Sequence, residues 1–137
     1  MEPASPLRLD RVRADERQTL ANLLELYVHD LSAAFEVDIG PDGRFGYPKL
    51  DAYFNEPASH FAYLIRRGGD LLGFALVTRG SPAVDDPEVL DVAEYFVLRR
   101  HRRSGVGGAA VHRLLRMHPG RWVVRVSEAN RGAHAFW

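Results

Sequence analysis

The chain has 137 residues, 46% of them hydrophobic, with 18 basic against 18 acidic side chains and no cysteine. That length suits one domain with its own core, and the missing cysteine excludes disulfides, thiolate nucleophiles and cysteine metal sites. No stretch approaches the ~20 apolar residues of a membrane span, and Met1 to Pro6 lacks the charged start and apolar run of a signal peptide, so a soluble cytoplasmic protein is expected.

Leu7 to Arg13 alternates apolar and polar residues, the period of a half-buried strand. Asp15 is placed to cap a helix in which Leu20, Leu23, Leu24, Tyr27, Val28 and Leu31 recur at helical spacing, predicted to end near Leu31. Gly40-Pro41-Asp42-Gly43 marks a turn, and a second short helix is expected over 48–55. His60 to Arg67 and Leu71 to Thr78 read as a hairpin about Gly68-Gly69-Asp70. After a proline- and acid-rich loop, a strand from Val89 to Leu98 enters a glycine turn, and a helix from Ser104 to about Met117 leaves it. Pro119-Gly120 stops that helix, Arg121 to Val126 reads as a fifth strand, and a last helix starts at Ala129. Residues 1–137 therefore read as a single mixed α/β domain of order β-α-α-β-β-β-α-β-α, with an antiparallel meander and one crossover unit.

Charge is unevenly spread. Residues 1–60 carry 6 Lys/Arg and 11 Asp/Glu, a balance of −5, and residues 61–137 carry 12 and 7, a balance of +5. This suits two ligands of opposite sign or a polyanion held by the second half; an uneven solvated surface would look the same.

Chemistry concentrates where the fourth strand meets the glycine turn, Arg99-Arg100-His101-Arg102-Arg103-Ser104-Gly105-Val106-Gly107-Gly108. Glycines let consecutive N–H groups converge without Cβ clashes, and the first helical turn adds free donors and a positive dipole end. The turn is thus suited to a phosphate-bearing ligand, with solvated arginines on a plain turn as the alternative. A P-loop would need Lys-Ser/Thr behind its glycines, and a dinucleotide fingerprint a different spacing. Nucleic acid is disfavoured because the arginines sit in one turn without stacking aromatics. The 6 histidines share no ligand spacing, so no metal is expected.

Arg102-Arg103-Ser104-Gly105-Val106-Gly107 resembles the Q/R-x-x-G-x-G/A acetyl-CoA motif of the GNAT superfamily of N-acetyltransferases. Asn130-Arg131-Gly132-Ala133-His134-Ala135-Phe136-Trp137 resembles that family's N-x-x-A-x-x-F-Y segment, and the element order agrees over almost the whole chain. The resemblance implies an α/β (α+β) fold, a mixed and mostly antiparallel sheet flanked by helices. It also implies two further strands, which this chain lacks, so the fifth strand is expected as an open edge that invites a homodimer or strand exchange. The implied activity is transfer of an acetyl group from acetyl-CoA to an amine, on a small molecule or a peptide; a non-catalytic acyl-CoA-binding module is the alternative.

The same resemblance assigns residues. Amides of Arg102, Arg103, Ser104, Gly105, Val106, Gly107 and Gly108 would clasp the diphosphate, with arginine side chains adding contacts. Main-chain groups of Tyr95, Phe96 and Val97 would pair with the acetyl carbonyl and pantetheine arm, and Asn130 and Phe136 would contact the cofactor. Arg99, Arg100 and Arg131 are either 3′-phosphate contacts or ordinary surface residues. Tyr27, Phe35 and Tyr47 flank the region that would wall the acceptor, where Asp30, Glu36, Asp38 and Asp42 would attract a cationic amine.

An alkyl ammonium, with a pKa near ~10, has no lone pair until a base or water relay removes its proton. Asp91 stands where many relatives place a glutamate base. Glu94 lies closer to the expected splay of the strands but has the opposite face parity from Asp91 and Tyr95. One of the two carboxylates should act, unless a bulge switches the phase. Trp137 replaces a tyrosine acid, and indole cannot take that role. Tyr95 or His134 would then protonate the leaving thiolate, or a thiolate with pKa near ~8.5 leaves unaided.

Overall fold

A computed structural model describes residues 5–126 and 130–137. Strand β1 (Leu7–Arg11) precedes helix α1 (Arg17–Phe35), and a 3-10 turn at Pro48–Asp51 leads into the short α2 (Ala52–Asn55). The meander β2 (His60–Arg67), β3 (Asp70–Arg79) and β4 (Leu90–Val97) follows. Helix α3 (Val106–Met117), strand β5 (Trp122–Val124) and helix α4 (Arg131–Phe136) complete the order. The sheet runs β1-β2-β3-β4-β5, antiparallel except for the last pair, which is parallel across α3.

Period-two alternation makes the sheet a shared wall between two cores. Phe61, Tyr63 and Ile65 of β2 pack with Val106, Ala110 and Leu114 of α3. Their neighbours Ala62 and Leu64 face Leu20, Leu23 and Leu24 of α1 on the other side. Those three leucines are almost fully buried, which contributes roughly 5–9 kcal/mol and outweighs the helix's intrinsic propensity.

Several boundaries differ from the sequence reading. Helix α1 runs a full turn past Leu31 and stops where Glu36 turns left-handed at φ 53° with Val37 N–H bonded to the Ser32 carbonyl at 3.1 Å. A glutamate in that role carries no glycine-like stop signal. Helix α3 begins at Val106 rather than Ser104, because Arg103 and Gly105 hold left-handed backbone at φ 63° and 81°. Strand β5 is shorter than 121–126, because its pairing with β4 ends at Val92–Val124. The expected helix start at Ala129 lies outside the described residues.

One irregularity matters for the site. Glu94 pairs with Leu76 but Val92 pairs with Val77, so Ala93 is an extra residue on β4. The bulge cancels one step of the alternation. Asp91 and Glu94, of opposite parity in the sequence, therefore share the face that looks toward α1 and α2.

Candidate functional site

Beyond Val92 and Val124 strands β4 and β5 part, and a cleft of about 490 Å³ opens between them. Val92, Ala93, Glu94 and Tyr95 line it from β4, Tyr27 and Phe35 from α1, and Arg125 and Val126 from the chain after β5. Asn130 and Trp137 line the remaining side. Tyr47 is not part of that lining, but its ring packs in the α1-side core.

The glycine turn lies beside this gap. The Tyr95 hydroxyl donates to the Gly107 carbonyl at 2.7 Å, and the Tyr95 ring stacks on Phe136 with centroids 5.8 Å apart. Residues 102–105 form a turn, and among the described residues the amides of 103–108 make no hydrogen bond of full geometry to a carbonyl or side chain. Two left-handed residues, Arg103 and Gly105, turn that run of N–H groups into a concave nest at the start of α3. Holding a non-glycine residue there costs about 1 kcal/mol, and side-chain ties offset it: Ser104 Oγ donates to the His101 carbonyl at 2.7 Å, and Val106 is buried in the α3 core. A Cβ on Gly107 would lie 2.8 Å from the Phe136 ring, which would have to shift to admit it.

The arginines divide. Arg102 is tied to the protein: its Nε donates to the Val97 carbonyl at 2.7 Å, its Nη2 to Asp30 at 2.6 Å, and its guanidinium lies over the Phe96 ring. Its side chain is therefore not a loose phosphate ligand, and Asp30 is spent on arginines instead of an incoming amine. Arg99, Arg102 and Arg103 border a second hollow of about 410 Å³. The side chains of Phe96 and Val97 are buried, and the Val97 carbonyl already accepts from Arg102. Asn130 Oδ1 accepts from Ala133 N at 3.0 Å and so caps α4. The side chains of Arg131 and His134 lie outside the description.

Glu94 faces the cleft from a largely apolar setting. Tyr27 Oη donates to its Oε1 at 3.0 Å, and the Tyr47 hydroxyl lies near the same carboxylate. Burial pushes the Glu94 carboxyl above the ordinary glutamate value, against the pull of these hydroxyls and of Lys49 and Arg125. Burial and the same carboxylate drive both tyrosines far above their usual range, so they remain donors.

Asp91, on the same face, is fully buried and already engaged. Arg125 forks onto it from Nε at 2.9 Å and Nη2 at 3.1 Å, and Ser81 Oγ donates to the same carboxylate. The pair stands where β4 and β5 diverge and bridges them. Arg125→Met would leave a buried carboxylate without its cation, and should cost about 2 kcal/mol in urea unfolding. That figure is below the usual loss for a broken buried pair because water reaches nearly half of Arg125. An unchanged midpoint would show that the bridge contributes nothing.

Sequence reading passed over Arg125 and the Arg102–Asp30 contact. Both join segments 34 or more residues apart, and neither leaves a local pattern. Among the described residues no group of His, Asp and Glu could hold a metal ion, and no helix is long and apolar enough to cross a membrane.

The parted strand pair thus lies beside the glycine turn that opens α3. Residues 20–137 match the acetyltransferase (GNAT) family model, and the chain belongs to that family. Among solved structures, an acetyltransferase from Thermus thermophilus aligns with a TM-score of 0.74 at 19% identity, covering 95% of this chain and 82% of that one. A ribosomal-protein-alanine N-acetyltransferase from Brucella melitensis biovar Abortus 2308 aligns at 0.64 and 16%, covering 96% and 88%. The AAC(6′)-Iy complex with a CoA bisubstrate analogue aligns at 0.61 and 18%, covering 96% and 87%. At such identities these likenesses establish the fold. No curated protein matches the sequence itself.

Proposed function

We propose that the protein transfers an acetyl group from acetyl-CoA to a primary amine, with the diphosphate in the 103–108 nest and Glu94 as general base. The observation that supports this reading is the left-handed turn at Arg103 and Gly105, opening α3 beside a gap between two parted strands. The donors suit a diphosphate, because main-chain N–H groups and a helix start bind anions without bringing a flexible side chain to order. The thioester supplies an activated acetyl group. Glu94 takes one proton from the incoming ammonium; the neutral nitrogen attacks the thioester carbon, the C–S bond breaks to release CoA thiolate, and the second proton lost by nitrogen as the amide forms passes to that thiolate or to water.

A carboxylate pushed upward by burial is a better match to that task than an exposed one, since its affinity for a proton approaches the working pH. Tyr27 orients it. Asp91 is assigned a structural role, with both its oxygens occupied. Tyr95 spends its hydroxyl proton on the Gly107 carbonyl and braces β4 on α3, which leaves His134 as the acid or a thiolate that departs unaided. The acceptor is an amine on a small molecule or a peptide; among the structural neighbours are both a ribosomal-protein-alanine enzyme and aminoglycoside enzymes.

Thiol release from acetyl-CoA, followed with a panel of amines from aminoglycosides to peptide N-termini, tests this reading. Amine-dependent release with an acetylated product is expected. Binding of acetyl-CoA with no release for any amine class would favour a non-catalytic acyl-CoA-binding module.

A further inference from the structure

Asp30, on α1, is a carboxylate at a site built for anions. Its Oδ1 accepts from Arg99 Nη2 at 3.1 Å and its Oδ2 from Arg102 Nη2 at 2.6 Å. The Asp30 side chain is 22% exposed against 40% for Arg102 and 82% for Arg99, so water weakens the Arg99 contact more than the Arg102 one. Arg102 meanwhile holds the last carbonyl of β4, at Val97, and covers the Phe96 ring. One guanidinium thus joins α1, the end of β4 and, through its own backbone, the residue just before the nest.

We infer that Asp30 is a positioning residue for the diphosphate turn: it locks Arg102 as a strut that keeps the amides of residues 103–108 aimed at the ligand. The inference rests on the proposed cofactor site. Electrostatics and geometry give opposite signs for its removal. By charge alone, deleting a carboxylate beside an anion site should tighten anion binding. If the carboxylate orders the turn, deleting it loosens the left-handed residues Arg103 and Gly105, and binding weakens although the site has become more positive.

The experiment is calorimetric titration of CoA into the wild-type chain and into Asp30→Asn, Asp30→Glu, Arg102→Gln and the Asp30→Asn/Arg102→Gln double variant. Asp30→Asn should raise the Kd about tenfold, the scale of one lost charge-assisted hydrogen bond. Asp30→Glu should recover most of that loss. The double variant should bind no worse than Arg102→Gln, because both changes remove the same strut. In turnover assays the KM for acetyl-CoA should rise while kcat at saturation and the acceptor KM stay put, a split that general loss of stability would not produce. Equal or tighter CoA binding by Asp30→Asn, or additive losses in the double variant, would overturn the inference. Failure of the wild-type chain to bind CoA would instead remove the site on which it rests.

Discussion

Replacing Glu94 by glutamine should lower kcat by about a hundredfold or more, the usual scale for loss of a general base. The amide keeps the size of the side chain and can still accept from Tyr27, so packing around it should persist. What it loses is the ability to take a proton. The wild-type pH profile should fall on its acid side at a pH above that of an ordinary glutamate, because burial raises this carboxyl. The sign follows from ionisation: the base works as carboxylate, so activity is present above its pKa and is lost as pH drops through it. Stability runs the other way. With its folded value above its unfolded one, Glu94 favours the fold below the unfolded pKa, and that contribution is lost as pH rises through the folded value. Glu94→Gln should flatten both dependences. Asp91→Asn is the control from the same face of β4: it should lower the melting temperature, yet leave kcat within a few-fold below that temperature. A large kcat loss in Asp91→Asn with none in Glu94→Gln would reverse the assignment.

The second large effect is expected at the glycines. Gly107→Glu places a Cβ 2.8 Å from the Phe136 ring and a negative charge at the diphosphate nest. Gly105→Glu meets no steric neighbour, but its backbone sits at φ 81°, where a side chain costs roughly 1 kcal/mol, and it adds the same charge. Either variant should weaken acetyl-CoA binding by more than about a hundredfold, roughly 3 kcal/mol. Circular dichroism should show the fold intact, because both positions lie at the surface end of α3. Affinity near that of the wild type in either variant would refute the diphosphate site.

Local signals made much of this molecule legible from its residues. The leucines of α1, the alternation of β2 and β3, and the glycine turn ahead of α3 each carry a short-range pattern, and the element order followed from them. The choice between Asp91 and Glu94 did not, because it depends on a single extra residue. Strand parity puts the two carboxylates on opposite faces, and the bulge at Ala93 brings them together. Nothing in Val92-Ala93-Glu94 announces a bulge, which arises from how β3 registers against β4. The environments that then separate the two are also long-range. Arg125 arrives on Asp91 from beyond β5, and Tyr27 reaches Glu94 from α1, 67 residues away. The end of α1 was hidden for a related reason, since Glu36 takes a left-handed conformation that glycine usually signals.

Amide signals of an isotopically labelled chain, followed as CoA is added, test the site most directly. The N–H resonances of residues 103–108 should shift downfield together and saturate with the affinity found by calorimetry, as they gain phosphate acceptors. Saturable binding that leaves those resonances in place would put the ligand elsewhere and contradict this account.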